Sequence, residues 1–303
     1  MNEHEQLVDQ AARHARSVLF LGGLDAGKST LARATAAFAL RIGRRVAYID
    51  ADVAQKTVGP PATVGMKHIR EPDDLIPERM AEADALGFVG SISPQDHLVP
   101  LVGALGRLRD RARNEGAELL IVDTGGEVSG IRGQLVKYYK VDVLEPDLVV
   151  GLQRGEELEP ILGVVDRFFG VESVTAPVHP DVKPSSVEDR MAMREKAMGR
   201  YFESAPLQRF RVRPTVFMPT LPPMFDLQTL DRLLVGLSDG HGGFTGLGVL
   251  EHVADDGGLR LLSPVAEPPK APVPESSSPT CSRPTRPRGS PRRPIWPTRA
   301  TVC

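Results

Sequence analysis

The sequence predicts an α/β fold in which a parallel sheet is covered by helices on both faces, followed by a small antiparallel β module and a disordered tail. Three observations predict it. From Ser17 to Val178, short apolar runs of β character alternate with stretches of helical spacing, the pattern that builds βαβ units. After Arg209 the apolar runs are separated by Asp- and Gly-rich turns instead of helices, which suits antiparallel pairing. From Pro264 to Cys303, eleven of forty residues are proline and aliphatic periodicity is nearly gone, a composition that buries too little apolar surface to fold. The expected division is a leading helix (1–16), an α/β domain (17–205), a β module (206–265) and a tail (266–303).

Taken in order, Glu3 to Ala15 has helical spacing and reads as a helix packed on the domain. Ser17-Val18-Leu19-Phe20-Leu21 is a buried strand that runs into Gly22-Gly23-Leu24-Asp25-Ala26-Gly27-Lys28-Ser29-Thr30, and Leu31 to Leu40 leaves as a helix. Arg45 to Asp50 is a second strand and Leu86 to Gly90 a third. His97 to Asn114 follows as an amphipathic helix, with Leu98, Leu101, Val102, Leu105 and Leu108 on one face. Leu119 to Asp123 is the next strand, then come a helix over Ile131 to Leu144, the strand Leu148 to Val150, a helix over Leu158 to Phe169 and the strand Val171 to Val178. A charged helix starts at Ser185-Ser186 and runs to Phe202. This alternation implies a parallel sheet with its ligand at the carboxyl ends of the strands. Beyond it, Phe210 to Met218 and Leu233 to Leu237 read as strands, with turns at Asp239 to Gly243 and Asp255 to Gly258.

Composition removes several classes of function. With 303 residues, 41% of them hydrophobic, the chain can bury the core of one large domain or of a domain with an appendage. No apolar run reaches the roughly 18 residues of a membrane span. Met1 to Gln10 is acidic and polar, unlike a secretory leader, so the expected location is the cytoplasm, away from membranes. Cys281, Cys303 and the single tryptophan, Trp296, all lie in the tail, which leaves the body without thiol redox or cysteine-based zinc chemistry. The seven histidines have no ligand-like spacing, and no Gly-x-Ser-x-Gly elbow is present. Seven of the 37 Lys/Arg and two of the 39 Asp/Glu lie in the last forty residues, leaving 30 basic and 37 acidic residues in the body. That balance excludes a broadly basic coat for nucleic acid and leaves room for a narrow positive groove. The Arg- and Pro-rich tail reads either as an RNA-holding segment or as a solvated extension.

The chemistry is expected around the glycine-rich segment. Gly22-x4-Gly27-Lys28-Ser29 is the Walker A spacing, in which backbone N–H groups from Gly22 to Thr30 wrap phosphates, lysine reaches the β- and γ-oxygens and the hydroxyl binds Mg²⁺. The glycines let the backbone close around an anion, and the helix N-terminus adds partial positive charge. The fold class is therefore that of the P-loop NTPases, and the expected cofactors are ATP and Mg²⁺. Asp50 and Asp52 stand at i and i+2 at a strand tip and point to one side; one can hold Mg²⁺ while the other takes a proton from an attacking hydroxyl, or both can cap the following turn. Asp123 closes a strand of Walker B form, four apolar residues and an acid, and is expected on Mg²⁺. Thr124-Gly125-Gly126 then places a hydroxyl and open amides near the γ-phosphate, or serves as a plain turn. Arg190 and Arg194, four apart on the charged helix, share a face that can close over the transferred phosphoryl group; a solvated helix laced with Glu188, Asp189 and Glu195 is the alternative.

Together these motifs resemble the polynucleotide 5′-hydroxyl kinase family, which includes the kinase subunit of the mRNA 3′-end cleavage factor, pre-rRNA-processing kinases and archaeal RNA kinases. The likeness spans Val18 to Val265. It is carried by the Asp-containing loop Gly22 to Thr30, by Asp50-Ala51-Asp52-Val53-Ala54-Gln55 with Gly59-Pro60-Pro61, and by Thr124-Gly125-Gly126 with Val128 and Gly130. Arg190 to Phe202 and Val235 to Val249 extend it. The resemblance implies transfer of the ATP γ-phosphate to the 5′-hydroxyl of RNA or DNA. It places Lys28, Ser29 and Thr30 on ATP and Mg²⁺, Asp52 as base and Arg190 and Arg194 as lid arginines, and it implies RNA-processing proteins as partners. Two positions depart from it: Ala54 stands where the family usually has Gly, and Glu127 where it has a bulky aromatic, typically Trp. A carboxylate cannot stack on a base. Two other functions therefore stand beside the kinase: an ATP-binding regulatory or structural subunit, and a kinase for a small hydroxylated acceptor.

Overall fold

Alternation of side chains along the central strands settles the layering. In the computed structural model, which describes residues 3–212, 224, 226–253 and 258–266, β1 (Ser17–Gly22) sends Val18 and Phe20 to one face and Leu19 and Leu21 to the other. On the first face α1 (Glu3–His14), α2 (Lys28–Arg41) and the one-turn α3 (Pro77–Met80) pack over Val18, Phe20, Tyr48, Ile121 and Val150. On the second, α4 (Leu98–Asn114), α5 (Gly130–Leu144) and α6 (Glu159–Val164) cover Leu19, Ile49, Val122 and Val149. Strands buried on both faces lack polar alternation, which is why β2 (Val46–Asp50), β5 (Leu119–Asp123) and β6 (Leu148–Gln153) read as continuous apolar runs.

β6 pairs with β7 (Glu172–Pro177), and the parallel part of the sheet runs β7-β6-β1-β5-β2. Its register places Phe20, Asp123 and Asp50 in one row and Gly22 beside Leu152. The carboxyl ends of four strands thus open at one level, where an open α/β sheet binds its ligand.

The unbroken alternation of strand and helix is corrected at this point. Thr63–Ile69 forms β3, antiparallel to β2, and Ala85–Phe88 forms β4, antiparallel to β3. Lys67 and His68 disguise β3 as a polar stretch. Lys67 is nonetheless buried and donates to the Glu82 carbonyl (3.1 Å). The sheet is therefore mixed, with its parallel half around the glycine-rich loop. The helix expected to Phe169 is α-helical only to Val164 and continues as a π turn to Phe169 before Gly170, whose φ of 62° ends it.

Beyond β7, α7 (Val187–Glu203) precedes four antiparallel strands, β8 (Gln208–Val212), β9 (Leu234–Ser238), β10 (Phe244–Val253) and β11 (Gly258–Ser263). They do not stand apart from the main sheet, because β10 pairs with β4 at Phe244 and Leu86. The turn at Asp239 forms as expected, its Oδ1 accepting from the His241 and Gly243 amides (2.7 and 2.9 Å). The expected strand beyond Val212, the turn at Asp255 to Gly257 and the tail after Ala266 lie outside the described residues. Met198 and Phe202 of α7 are buried with Phe88, Leu234, Leu247 and Val249, and the Leu247 amide donates to the Tyr201 hydroxyl (2.7 Å). Burial of two such side chains contributes about 3–6 kcal/mol, enough to fix the far end of the arginine-bearing helix on the C-terminal strands. Among the described residues no helix is long and apolar enough to cross a membrane.

Candidate active site

The loop from Gly22 to Lys28 has the conformation its glycines allow. Gly27 caps α2 at φ 90°, and a Cβ on Gly22 would stand 2.7 Å from the Leu152 carbonyl oxygen. Arg154, just after β6, donates from Nη1 and Nη2 to the Leu24 and Asp25 carbonyls (3.2 and 2.7 Å) and so braces the loop from outside. Lys28 is buried and its Nζ donates to the Gly23 carbonyl (2.6 Å). Burial pulls its pKa below the usual lysine value, against the charges of Asp123, Asp52 and Asp25.

Asp123 lies at the floor. It is 2% exposed; Oδ2 accepts from the Tyr48 hydroxyl (3.0 Å), while Oδ1 is buried without a hydrogen-bond partner. Burial, reinforced by the charge of Asp50, pushes its pKa up to about 6, against the pull of Ser29 and Lys28. An orphaned buried carboxylate oxygen beside a Walker A serine is a donor set suited to a hard divalent cation. Thr124, expected to face the γ-phosphate, donates its hydroxyl to the Phe20 carbonyl (2.8 Å) and accepts from Lys137 Nζ (3.2 Å). Its side chain therefore ties β5 to β1 and α5.

Asp50 and Asp52 have different surroundings. β5 separates β2 from β1, and the chain turns after Asp50. Asp50 is fully buried: Oδ1 accepts from the Asp52 amide (3.0 Å), Oδ2 from the Thr57 and Val58 amides (2.6 and 2.9 Å), and Lys56 Nζ sits 3.1 Å away. Every oxygen is engaged, so Asp50 organises the 50–58 loop. Lys56 completes it by donating to the Asp52 carbonyl (2.8 Å). Asp52 itself turns outward: Oδ1 accepts from the Ala54 and Gln55 amides (2.8 and 3.0 Å), and Oδ2 lies 3.3 Å from where a Cβ on Gly125 would stand.

That carboxylate opens into a cleft of about 250 Å³ whose walls include Gly126, Glu127, Lys137, Lys140 and Arg194. Gly126 presses on the phosphate loop, since a Cβ there would come within 2.6 Å of Leu24 N and Cα. Glu127 has its Oε2 buried without a partner, and burial raises its pKa against the pull of Lys137 and Lys140. Lys137 and Lys140 were not expected in the site. Both are buried on α5, Lys137 donating to the Thr124 hydroxyl and the Gly125 carbonyl and Lys140 to the Ala51 carbonyl (2.7 Å). Their i, i+3 spacing on the face that also carries Val136, Val141 and Leu144 is the signal that reveals them: a lysine on an apolar stripe needs a buried partner.

The helix α7 begins with Ser186 accepting from the Asp189 amide (3.0 Å). It is fastened to the phosphate loop through Asp25, which accepts from the Ser185 amide (2.8 Å) and hydroxyl (3.3 Å) and lies 3.5 Å from Arg190 Nη1. Arg190 also donates to the Ser185 carbonyl (2.6 Å), and its own carbonyl accepts from Gln55 (3.3 Å). The structure thus brings Lys28, Ser29, Asp123, Asp52, Arg190 and Arg194 around one loop and assigns Asp25 to the helix that covers it.

The family model of the mRNA cleavage and polyadenylation factor CLP1 P-loop matches residues 22–204. The chain belongs to the CLP1 P-loop family. The polyribonucleotide 5′-hydroxyl-kinase of Pyrococcus horikoshii is 27% identical over 83% of this chain and 82% of its own length. That of Thermococcus kodakarensis is 27% identical over 83% and 84%. In bovine Clp1, also named a polyribonucleotide 5′-hydroxyl-kinase, 27% identity covers 67% of this chain and 50% of that protein. Among solved structures, a Clp1p–Pcf11p complex superposes with a TM-score of 0.70 at 12% identity, over 90% of this chain and 76% of the other. This last likeness establishes the fold, with CLP1 members and this chain sharing the α/β sheet and its C-terminal strands.

Lys140 makes the cleft's electrostatics measurable. Burial pulls its pKa from 10.5 down to about 8, against Asp52, Glu127 and Asp50. Between those values the unfolded chain binds more protons than the folded one, so this group's contribution to stability rises with pH. Below pH 8 the charged amine costs ~3 kcal/mol, at about 1.4 kcal/mol per pH unit. In denaturant titrations, the stability of Lys140→Met relative to the unsubstituted protein should therefore fall by ~3 kcal/mol between pH 7 and pH 10.5. A difference independent of pH would mean that burial does not shift the titration of Lys140.

Proposed function

We propose that this chain is an ATP- and Mg²⁺-dependent kinase that phosphorylates the 5′-hydroxyl end of RNA. The observation that carries the reading is the contact between two half-sites. The phosphate loop touches, at Leu24 and Gly126, a cleft that holds a carboxylate, Asp52, and the cationic Arg194. The archaeal relatives and bovine Clp1, each named a polyribonucleotide 5′-hydroxyl-kinase, support it.

Backbone N–H groups of Gly22 to Thr30 hold the phosphates, and Lys28 exchanges the Gly23 carbonyl for the β- and γ-oxygens. Asp123 and the Ser29 hydroxyl would hold Mg²⁺, which would supply neutralisation of phosphate charge. Asp50 is left to the loop. The acceptor's 5′-oxygen attacks the γ-phosphorus, the bond to the β–γ bridging oxygen breaks, ADP leaves with the electron pair, and the acceptor proton passes to Asp52 Oδ2. Arg190 and Arg194 neutralise charge on the phosphoryl group in flight. In this reading 17–205 carries the chemistry and 206–265 buttresses the arginine helix. DNA ends are a further acceptor, RNA-processing proteins are the expected partners, and the cytoplasm is the expected compartment.

Glu127 and the small cleft favour one second reading, transfer to a small hydroxylated acceptor. The experiment is transfer of labelled γ-phosphate from ATP with Mg²⁺ to a 5′-hydroxyl RNA oligonucleotide, a matching DNA oligonucleotide and a free nucleoside, with Lys28→Ala alongside. Label on RNA that disappears with Lys28→Ala is the expected result. Label on the nucleoside alone would establish the second reading, and no label on any acceptor despite ATP binding would leave a regulatory subunit.

A further inference from the structure

Glu127 lines the acceptor cleft without a part in the phosphoryl transfer, and its Oε2 is buried with no hydrogen-bond partner. A buried acceptor oxygen left unpaired is costly, so a donor brought by a ligand is its natural complement. The nearby cations do not fill that place. Lys137 Nζ donates to the Thr124 hydroxyl and the Gly125 carbonyl, and Lys140 Nζ to the Ala51 carbonyl. The carboxylate also stands close to the proposed base. Asp52 Oδ2 lies 3.3 Å from the position of a Cβ on Gly125, and Glu127 follows two residues later, no more than about 7 Å along the backbone. Two carboxylates thus line one cleft at a separation on the scale of a single sugar. Its volume, about 250 Å³, is below the ~300 Å³ at which drug-sized sites begin.

We propose that Glu127 accepts a hydrogen bond from the 2′-hydroxyl of the nucleotide being phosphorylated and so makes this site select ribose over deoxyribose. The proposal rests on the kinase reading for which hydroxyl faces Asp52. The chemistry of a polynucleotide end then leaves one donor on the first sugar. The 5′-hydroxyl is turned to Asp52, and the 3′-oxygen is esterified and carries a charged phosphate that a carboxylate repels. The 2′-hydroxyl is the remaining O–H, and it is the group by which a protein tells RNA from DNA at a given position. N–H groups of a base differ in number and place among the four bases, and a cleft this small holds the sugar and leaves the base at its mouth. With ribose bound, Oε2 gains its partner; with deoxyribose bound, it stays sealed from water and unpaired. A site built around such a bond rejects the analogue lacking the hydroxyl far more strongly than an apolar pocket rejects a missing methylene. DNA ends are therefore the poorer acceptors.

The test measures kcat/KM for transfer of labelled γ-phosphate from ATP with Mg²⁺ by the full chain to oligoribonucleotides that differ only at the 5′-terminal nucleotide. That nucleotide carries ribose, 2′-deoxyribose or 2′-fluororibose, the last keeping the ribose pucker without a proton to donate, each with all four bases. The unsubstituted protein should favour ribose about 100-fold over both analogues, and the same changes at the second nucleotide should cost less than about threefold. Glu127→Leu removes the buried oxygen, so it should lower transfer to the ribose end and raise transfer to the deoxy end, bringing the two within about threefold. Glu127→Gln keeps a neutral acceptor and should retain a preference of about 10-fold. If Glu127→Leu loses transfer to every end through misfolding, Glu127→Gln decides. Equal use of ribose and deoxy ends by the unsubstituted protein overturns the proposal and leaves the kinase reading intact. So does a full preference that survives in Glu127→Gln, a 2′-fluoro end used as well as ribose, or a preference that follows the first base instead of its sugar. Transfer to none of the ends would remove the kinase reading itself.

Discussion

Asp52→Asn is expected to slow phosphoryl transfer about 1,000-fold while leaving ATP affinity within about twofold, the signature of losing a general base. The substitution suits this site because Asp52 divides its work between its two oxygens. Oδ1 accepts from the Ala54 and Gln55 amides, and an asparagine Oδ1 accepts from the same two groups, so the 50–58 loop keeps its form. Oδ2 faces Gly125 at the mouth of the cleft, and an amide nitrogen there cannot take the acceptor's proton. Single-turnover transfer to a 5′-hydroxyl oligoribonucleotide, with ATP binding measured separately, reads the two effects apart. A rate within fivefold of the unsubstituted protein would take Asp52 out of the proton transfer; a large fall in ATP affinity would make it part of the donor site.

What the sequence disclosed and what it hid divide along a physical line. The phosphate loop was legible because its demands are local: glycine at Gly22 and Gly27, a cation at Lys28 and a hydroxyl at Ser29 serve one stretch of backbone closing on one anion. Asp123 was legible as the polar end of a buried strand. Asp50 looked identical in kind, an acid at a strand tip, yet its environment is set by Lys56 and by the amides of Thr57 and Val58, after a turn the apolar pattern does not describe. β3 was missed because a strand buried against β2 and β4 can carry Lys67 when Glu82 supplies a carbonyl from another segment. Asp25 reaches Ser185, 160 residues away, and spacing inside a loop says nothing about such a partner. Lys137 and Lys140 were within reach of a pattern argument, since two buried lysines a turn apart imply carbonyls or carboxylates facing that side of α5.

The latch at Asp25 sets the second large effect. Arg190→Ala should lower kcat by about 1,000-fold with little change in KM for ATP, at the lower end of the ~10³–10⁵ that an arginine at the transferred phosphoryl group contributes. In the structure Arg190 Nη1 is held between the Ser185 carbonyl and Asp25 Oδ2, at the edge of the loop that grips the phosphates. A γ-phosphate offers the guanidinium a more highly charged acceptor than either, and the fork of Arg190 can keep one hydrogen bond to Ser185 while turning another to the phosphoryl oxygens. Arg190→Lys should therefore recover less than a tenth of the lost rate, because a single ammonium cannot hold both partners. Stability separates this role from a merely structural one. The Asp25 pair is partly exposed, and such pairs are worth about 0–1 kcal/mol, so Arg190→Ala should unfold within ~1 kcal/mol of the parent. A kcat within threefold of the parent would reduce Arg190 to a clasp, and recovery of the full rate by lysine would show that charge alone suffices there.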